Sequence, residues 1–317
     1  MKAMAFNGIG DDLRYVDVPD PTAGDAEIVI EIHAASVNPA DHKLRDGHYG
    51  GLYALQSPHI SGRDFSGVVY KLGAGVTEFS VGDPVFGVMD VGREGGYAEF
   101  VAEKASLVAR KPDFLSHSEA AALALTGLTA IISLDSGKLQ TGEKILIQGG
   151  AGGVGSFAVQ YAKHLGAYVV TTASTRNHDY VKAMGADEVI DYNMVDFRDA
   201  VSGCDIVYDT VGLETHRLSY DVLKSGGRMV YVSPQPENFE VPRHDVEVVR
   251  PKVGRSREVL EQILSLTKRG VIKIPDIEIV SLIDAAVAQE KSKAGHVRGK
   301  IILDPKRKQD DRYASRI

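Results

Sequence analysis

The segment KILIQGGAGGVGSFAVQYAKHLG, residues 144–166, changes its residue pattern halfway along, and the change predicts a strand followed at once by a helix. The apolar run at 145–147 is typical of a buried parallel strand. Beyond it, apolar residues recur three and four apart on one face, and Gly166 stands where such a helix would end. The apolar positions on this face are Val154, Phe157, Ala158, Tyr161, Ala162 and Leu165.

Three glycines stand between the predicted strand and helix with the spacing G-x-G-x-x-G. Glycine permits a tight turn, lets the backbone approach a pyrophosphate, and allows the helix to pack closely on its strand. The first N–H groups of the helix can also bind phosphate oxygens. A glycine triplet alone is weak evidence, but here strand, turn and helix follow in the required order, so we predict a dinucleotide site. Its predicted contacts are Gly150, Ala151, Gly152, Gly153, Val154 and Gly155.

The strand predicted next, at 168–173, bears on which dinucleotide the site accepts. NAD sites usually carry Asp or Glu about 20 residues beyond the glycine motif, where the carboxylate binds the ribose 2′-hydroxyl. This chain has Ser174 there and Arg176 two residues further on. A hydroxyl and a guanidinium accept a 2′-phosphate that a carboxylate would repel, so the sequence favours NADPH. The alternative is that Ser174 only caps a helix starting near Asn177 and that Arg176 is solvated.

Size and composition favour a soluble protein with two domains of ordinary size. The chain has 317 residues, 44% of them hydrophobic and 25% charged. A net charge of −7 and a pI near 5.8 argue against non-specific nucleic-acid binding, which needs a positive surface. No apolar run approaches the roughly 18 residues of a membrane helix, and MKAMAFNGIG lacks the apolar core of a signal peptide, so we expect a cytoplasmic protein. The single cysteine, Cys204, can form neither an internal disulfide nor a cysteine zinc cluster.

The order of the predicted elements divides the chain in two. Residues 1–115 show short strand patterns separated by turn residues and predict a β-rich domain. Over 116–270, helices and strands alternate, which predicts an α/β domain with a doubly wound parallel sheet, interrupted by a charged, proline-rich loop at 234–251. We expect 271–304 to fold back onto the first domain, and the charged tail 305–317 to be disordered.

A series of short stretches, in a fixed order, carries a resemblance to a known superfamily. The stretches are AASVNPADHKLRDGHYG (34–50), GRDFSGVV (62–69), VGDPVFG (81–87), GGYAEFV (95–101), ALTGLTA (124–130), GGAGGVG (149–155), DIVYDTVG (205–212), SGGRMVYVS (225–233) and HVRGKIIL (296–303). With them the chain resembles the medium-chain dehydrogenase/reductase superfamily from Met1 to about Asp304, and within it the zinc-independent NADPH:quinone oxidoreductases and enone reductases. The resemblance implies a GroES-like catalytic domain, a Rossmann domain, NADPH, and a quinone or an α,β-unsaturated carbonyl as substrate.

The chain departs from the zinc-dependent members of this superfamily at their metal ligands. Those members carry Cys at the position of Asn38 and a His-Glu pair at the positions of Arg63 and Asp64. Their four-cysteine structural lobe is missing as well. Because zinc needs Cys, His or carboxylate ligands in tetrahedral reach, we predict no metal. The histidines that could in principle assemble a site, but lack ligand spacing, are His33, His42, His48 and His59.

Without a metal, the protein must hold the two reactants face to face and offer a donor to the oxygen on which negative charge collects. The resemblance implies two candidates for this donor. Tyr49 matches the tyrosine acid of enoyl-thioester reductases, and Lys43 matches a lysine of the plant enone reductases. Alternatively, Lys43 is a solvated charge and Tyr49 an aromatic cover over the nicotinamide. Asn38 and Asp41 match positions at the nicotinamide end of the cleft, although Asn-Pro followed by Asp equally predicts a turn and helix cap.

The same resemblance implies further cofactor contacts. Thr129 matches the residue that touches the nicotinamide ribose. Tyr192 matches the tyrosine beside the adenosine 2′-phosphate, unless it simply covers the sheet edge. Open α/β sheets bind ligands at the carboxyl ends of their strands, where several more of the implied contacts lie. These are Asp209, Val211, Ser233 and Arg250.

Two other functions stay open. An enoyl-thioester reductase would need a basic patch for its carrier, but Arg45, Arg63 and Arg93 are scattered along the chain. A non-catalytic NADPH-binding sensor or RNA-binding protein is the second alternative, and the acidic net charge and the candidate donors Lys43 and Tyr49 weigh against it. The resemblance also implies a homodimer with a small-molecule substrate. The acidic charge and the lack of a long apolar run predict no nucleic-acid or membrane partner.

Overall fold

The computed structural model describes residues 1–48, 55, 57–90 and 92–309. Tyr49 and most of the predicted tail, 310–317, lie outside these residues. The chain divides into two compact units. The first unit comprises Met1–Leu125, Gly254–Ser265 and Asp276–Ile317, and the second comprises Thr126–Val253 and Leu266–Pro275.

The compact units depart from the predicted domains in three places. Residues 271–275, expected to fold back onto the first domain with the rest of 271–304, belong to the second unit. The predicted boundary lies at residue 115, whereas the observed one falls inside the helix His117–Ser136. Gly254–Ser265, predicted within the nucleotide-binding domain, belongs to the first unit. One reason is Arg257, whose Nε donates to the Val108 carbonyl oxygen at 2.7 Å. A hydrophobic pattern cannot predict such a contact. The prediction therefore placed this segment in the same domain as its neighbours in the chain.

Strands that pair mainly antiparallel, with one parallel pair, build the first unit. They are β1 (Lys2–Phe6), β2 (Arg14–Asp17), β3 (Glu27–Ser36), β4 (His59–Ile60), β5 (Asp64–Leu72), β6 (Pro84–Val88), β7 (Phe100–Lys104) and β8 (Val108–Arg110), joined from the end of the chain by β15 (Ile277–Ser281) and β16 (Lys300–Asp304). Alternate residues of β3, namely Ile28, Ile30 and Ile32, are fully buried in the core. Each such side chain contributes about 1.5–3 kcal/mol on burial. β16 pairs antiparallel with β3, opposing Ile302 to Ser36, so the end of the chain returns to this unit.

The second unit has a parallel sheet of six strands in the order β11-β10-β9-β12-β13-β14. The strands are β9 (Lys144–Gln148), β10 (Tyr168–Thr172), β11 (Glu188–Ile190), β12 (Cys204–Asp209), β13 (Leu223–Tyr231) and β14 (Glu247–Val249). All neighbouring pairs are parallel, which confirms the predicted doubly wound sheet. The strand order reverses between β9 and β12, and open sheets bind ligands at the carboxyl ends of strands at such a point.

Eight helices connect and flank these strands among the described residues. They are α1 (Pro39–Arg45), α2 (His117–Ser136), α3 (Gly153–His164), α4 (His178–Ala183), α5 (Phe197–Ala200), α6 (Leu213–Leu218), α7 (Arg257–Lys268) and α8 (Ala285–Lys293). α2 is long and apolar enough to cross a membrane by length and composition, contrary to the expectation from continuous apolar runs. Since 78% of its apolar window is buried inside the protein, α2 packs as a core helix.

The predicted loop at 234–251 contains a strand that the sequence analysis missed. β14 is three residues long and pairs parallel with β13, opposing Val248 to Met229. Its residues are exposed or half-buried, because β14 lies at the edge of the sheet. A short strand that is not buried lacks the apolar run by which the other parallel strands were predicted.

Candidate active site

The glycine-rich turn between β9 and α3 leaves no room for a side chain at two of its glycines. A Cβ on Gly150 would lie 2.1 Å from Thr171 Oγ1, and one on Gly155 would lie 2.2 Å from the Gly149 carbonyl oxygen. Gly152, the N-cap of α3, differs, because the nearest atom to its Cβ position is the same carbonyl oxygen at 3.5 Å. Packing inside the protein therefore requires Gly150 and Gly155. Gly152 instead leaves open space through which a phosphate can approach the backbone.

Two hydrogen bonds anchor this turn to the neighbouring strand. Thr172 Oγ1 accepts from the Gly149 N–H at 3.0 Å, and the Thr172 carbonyl oxygen accepts from the Gly150 N–H at 3.1 Å. α3 then begins with Gly153 and Val154, whose N–H groups belong to the first helical turn and have no partner within the helix. An anchored turn with open space at its second glycine, next to a helix N-terminus, fits the pyrophosphate of a dinucleotide.

The residues predicted to bind the 2′-phosphate lie at one edge of the sheet. Ser174 and Tyr192 follow the adjacent parallel strands β10 and β11. The Asp191 carboxylate accepts a hydrogen bond from the Thr175 hydroxyl and so ties the two loops together. This contact lowers the pKa of Asp191. Arg176 and Tyr192 are both exposed on these loops.

Ser174 does not cap α4 as its alternative interpretation supposed. The N-cap of α4 is Asn177. Ser174 stands at the start of the short 3₁₀ turn Thr175–Asn177, and its hydroxyl accepts a hydrogen bond from the Asn177 side-chain Nδ2 at 3.2 Å. The hydroxyl proton of Ser174 can thus be donated to a ligand.

Two predicted contacts at the carboxyl ends of β12 and β13 turn their side chains into the protein. The Asp209 carboxylate is fully buried, and its Oδ1 accepts from the N–H groups of Val211 at 2.8 Å and Gly212 at 2.9 Å. Its Oδ2 accepts from the Ser233 hydroxyl at 2.8 Å. Asp209 and Ser233 therefore shape the turn after β12 through their side chains. Val211, which is 49% exposed, is the residue that this turn presents.

The remaining predicted contacts of the second unit lie in different surroundings. Thr129 is buried on α2, and its carbonyl oxygen accepts from the Ser133 hydroxyl at 2.6 Å. Arg250 is exposed after β14, with its guanidinium carbon 5.9 Å from the centre of the Tyr231 ring.

In the first unit, α1 begins in a buried polar network. Asn38 Nδ2 donates to Asp64 Oδ2 at 3.2 Å, and Asn38 Oδ1 accepts from Lys300 Nζ at 2.8 Å. The Ser36 hydroxyl also donates to Asp64 Oδ2, at 2.6 Å. Burial raises the pKa of Asp64 and lowers that of Lys300, while the attraction between the two charges acts in the opposite sense on both. Asn38 thus joins a buried acid to a buried base.

Asp41 serves as the cap that its sequence pattern predicted. Its Oδ2 accepts from the Asn38 N–H at 2.8 Å and from the Tyr97 hydroxyl at 2.7 Å, while its Oδ1 lies 3.7 Å from Arg63 Nε. Burial raises the pKa of Asp41 to about 7, although the Arg63 guanidinium acts to lower it. Burial also raises the pKa of Tyr97 well above its usual value, so this hydroxyl stays a donor. The Asp41 side chain has no exposed surface.

Only one of the two predicted proton donors can be placed. Lys43 is half-buried on α1, two residues beyond Asp41. Tyr49 lies outside the described residues. The structure thus places Asn38 and Asp41 at the start of α1 and Lys43 in its last turn.

The positions at which zinc-dependent relatives carry ligands hold groups that do not fit zinc. Arg63 places a guanidinium there, with Nη2 3.3 Å from Glu94 Oε1 and Nε 3.7 Å from Asp41 Oδ1. Asp64 already accepts hydrogen bonds on both oxygens, Oδ1 from the Ser36 N–H at 2.9 Å and Oδ2 from its hydroxyl. A fixed positive charge beside two carboxylates opposes a cation. Over residues 1–48, 55, 57–90 and 92–309, no three His, Cys, Asp or Glu side chains are grouped to hold a metal.

Sequence reasoning missed three residues of these networks. Lys300 opens the apolar strand KIILD, and a lysine at a buried strand position was a usable signal. Tyr97 lies in GGYAEF, where no local pattern links it to Asp41, 56 residues away. His216 is fully buried on α6, with Nδ1 3.0 Å from Asp209 Oδ2. Its spacing of seven residues from Asp209 was visible in the sequence but carries no known pattern.

Comparisons with known proteins agree with this architecture. The model of the alcohol dehydrogenase GroES-like domain matches residues 24–113, and that of the zinc-binding dehydrogenase family matches residues 153–271. The chain is 33% identical to a chloroplast envelope quinone oxidoreductase homolog of Arabidopsis thaliana, over 96% of this chain and 98% of that protein. It is 33% identical to a 2-methylene-furan-3-one reductase of Solanum lycopersicum, over 96% of this chain and 79% of that protein.

Among solved structures, the chain is similar to Escherichia coli quinone oxidoreductase complexed with NADPH, with a TM-score of 0.87 and 28% identity over 96% of this chain and 100% of that one. Fold, glycine turn and relatives together define a two-domain oxidoreductase that binds a nicotinamide dinucleotide. The chain belongs to the medium-chain dehydrogenase/reductase superfamily, in its branch of quinone and enone reductases, which confirms the resemblance and the predicted fold class.

Proposed function

We propose that this protein is an NADPH-dependent reductase that transfers a hydride to a quinone ring or to the β-carbon of an α,β-unsaturated carbonyl, without zinc. The observation that carries the proposal is the glycine-rich turn. Gly150 and Gly155 pack against the protein with no room for a side chain, while Gly152 has free space beside the start of α3. Relatives named as a quinone oxidoreductase and a furanone reductase support the substrate class.

Each end of the dinucleotide would meet residues of defined chemistry. When bound, NADPH supplies the hydride. The N–H groups of Gly153 and Val154 would hold the pyrophosphate, because they open the first turn of α3. Ser174 and Arg176 would hold the 2′-phosphate by charge-assisted hydrogen bonds, since neither repels a dianion.

The first unit would supply the donor for the substrate oxygen. Lys43 and Tyr49 are the two candidates, an ammonium and a phenol. Asp41 supports Lys43 indirectly, because its carboxylate caps α1, the helix that carries the lysine. Asn38 and Asp41 are buried, so we assign them to the shape of this helix start and leave proton donation to Lys43 or Tyr49.

The proposed enzyme is tested by following NADPH oxidation with 1,4-benzoquinone, 9,10-phenanthrenequinone, a short-chain enone, crotonyl-CoA and a simple aldehyde. Each assay is repeated with NADH and with a chelator. We expect turnover of quinones or enones that prefers NADPH and is indifferent to the chelator. Fastest turnover of crotonyl-CoA would instead establish an enoyl-thioester reductase. NADPH binding without any turnover would overturn the proposal.

The donor is identified by Lys43→Met and Tyr49→Phe. Matched controls are Lys71→Met and Tyr70→Phe, which change the same residue types on the exposed part of β5. The donor variant should lower kcat by about 100-fold at unchanged NADPH affinity, the usual contribution of a positioned acid. If both variants keep full activity, the proton comes from water, or backbone N–H groups stabilise the oxygen.

We also propose that the protein is a cytoplasmic homodimer without nucleic-acid or membrane partners. The acidic net charge of −7 supports the absence of nucleic acid. Light scattering of the purified protein tests the dimer, and a monomer at micromolar concentration would rule it out.

A further inference from the structure

A fully buried histidine in the second unit holds the carboxylate that shapes the turn after β12. His216 lies on α6, and its Nδ1 is 3.0 Å from Asp209 Oδ2. Its ring packs among three aromatic rings, with centroid distances of 5.5 Å to Tyr220, 4.7 Å to Tyr231 and 5.1 Å to Phe239. A histidine this enclosed cannot take its hydrogen bonds from solvent, so it depends on its protein partners.

Both nitrogens of the imidazole have protein partners. The Asp209 carboxylate only accepts hydrogen bonds, so Nδ1 carries the proton and donates it. On the other side, Gln235 Nε2 lies 3.2 Å from His216 Nε2, and an amide nitrogen only donates. Both ring nitrogens of His216 therefore have a protein partner, and Nδ1 points a donor at Asp209.

Through Asp209, this donor reaches the backbone of the turn. The carboxylate receives His216 and Ser233 on Oδ2, while Oδ1 receives the N–H groups of Val211 and Gly212. Gly212 has a φ of +92°, and a Cβ there would lie 2.5 Å from the Pro234 carbonyl oxygen. The turn is thus held in a conformation that only glycine permits, with the carboxylate as its anchor.

The anchored turn packs directly on Gly149, the residue before the first glycine of the dinucleotide motif. The Thr210 hydroxyl donates to the Gln148 carbonyl oxygen at 2.7 Å. A Cβ on Gly149 would lie 3.0 Å from Val211 Cγ2 and 3.1 Å from Thr210 Oγ1. A shift of the turn after β12 would therefore also displace the glycine-rich turn.

We propose that His216 is a positioning residue for the bound dinucleotide. By orienting the Asp209 carboxylate, it fixes the turn Thr210–Gly212 against Gly149 and presents Val211 at the carboxyl ends of the strands. The proposal rests on the proposed function only in that NADPH must bind at the glycine-rich turn.

The test compares three variants of the full chain. His216→Phe keeps a ring but removes the donor to Asp209. His216→Asn keeps a donor close to the position of Nδ1. Phe239→Leu is the matched control, because it loosens the same aromatic cluster and leaves the His216–Asp209 contact in place. His216→Met makes the same test as phenylalanine if that variant does not fold, since methionine adapts to irregular space.

The primary readout is the NADPH dissociation constant by calorimetry, with Tm recorded for each variant. We expect His216→Phe to weaken NADPH about 10-fold, within what one hydrogen bond to a charged group supports, and His216→Asn to stay within about 2-fold. Phe239→Leu should lower Tm without changing NADPH affinity. Amide exchange should quicken at Val211 and Gly212 in His216→Phe, and stay slow at Val230 of β13.

Two results would overturn the positioning role. One is wild-type affinity in both His216→Phe and His216→Met. The other is an equal loss of affinity in Phe239→Leu, which would reduce His216 to general packing. The readout is binding and does not require turnover. If the protein binds NADPH but does not reduce quinones, the proposed function is wrong, and the role of His216 can still be tested. Failure of the wild-type protein to bind NADPH would defeat both.

Discussion

The glycine-rich turn of the second unit needs positions without side chains, whereas the network at α1 needs side chains from distant parts of the chain. At Gly150 and Gly155, any Cβ would meet the protein's own atoms within 2.2 Å. At α1, Asn38 meets Asp64 and Lys300, and the lysine is 262 residues away in the chain. The residues of the first site are neighbours in the sequence, whereas those of the second are brought together only by the fold.

The largest effect that separates the two regions is expected from Lys300→Met. This change leaves the buried Asp64 carboxylate without its nearby positive charge and removes the donor to Asn38 Oδ1. Leaving a buried charge without its compensating partner costs about 3–5 kcal/mol, so we expect the free energy of unfolding in urea to fall by that amount.

The control is Lys291→Met, which removes an exposed pair with Glu278 and should cost less than about 1 kcal/mol. The double variant Lys300→Met with Asp64→Asn should recover part of the loss, because the remaining amide carries no charge. A loss in Lys300→Met no greater than in Lys291→Met would show that the network does not hold the start of α1.

How much the sequence could predict follows from the same difference. The turn at 149–155 was predicted because its strand, glycines and helix lie within a single segment. The cap role of Asp41 was predicted for the same reason, since Asn38 is three residues away. Lys300 left a usable signal as a lysine at a buried strand position, but its contact with Asn38 could not be predicted. The contact of Tyr97 with Asp41 could not be predicted either, because no local pattern links residues so far apart in the chain. Buried polar and charged partners meet only in the folded structure, and a single sequence does not show which residues meet.

The glycine-rich turn is tested by Gly155→Ala beside Gly152→Ala. In Gly155→Ala the new methyl group meets the Gly149 carbonyl oxygen, so the turn must open and NADPH affinity should fall by about 100-fold, or roughly 2.7 kcal/mol. Gly152→Ala has space for its methyl group in the free protein. It should therefore keep its Tm and still bind NADPH more weakly, by blocking the approach of the phosphate. Unchanged affinity in Gly152→Ala would place the pyrophosphate elsewhere.

A smaller effect, confined to one cofactor, is expected from Arg176→Ala. Losing charge-assisted bonds to the 2′-phosphate should weaken NADPH about 30-fold, or roughly 2 kcal/mol, and leave NADH unchanged. Arg217→Ala is the control, because it removes an exposed arginine paired with Glu214 in the same unit. Equal losses for NADPH and NADH would remove the 2′-phosphate from this edge of the sheet and leave only the local role of the turn at Ser174.

The last test concerns the pH dependence of stability and the carboxyl of Asp41, and its effect is spread over several pH units. Burial raises its pKa from 3.8 to about 7, so the folded state keeps a proton that the unfolded state releases between these values. The stabilisation is complete below the unfolded pKa and is lost as pH rises through the folded pKa. Its slope is at most about 1.4 kcal/mol per pH unit.

Asp41→Asn removes this titration while keeping an oxygen that can accept from the Asn38 N–H and the Tyr97 hydroxyl. The wild-type protein should therefore lose stability relative to Asp41→Asn as pH rises from 5 to 7, in urea unfolding at each pH. Other titrating groups contribute to both proteins and largely cancel in the difference. Parallel curves would mean that Asp41 is already ionised at pH 5, with the Arg63 guanidinium outweighing burial. Asp41 and Arg63 would then form a buried ion pair. The network at α1 would still differ from the glycine-rich turn by its buried charges, but the stability that it contributes would not depend on pH in this range.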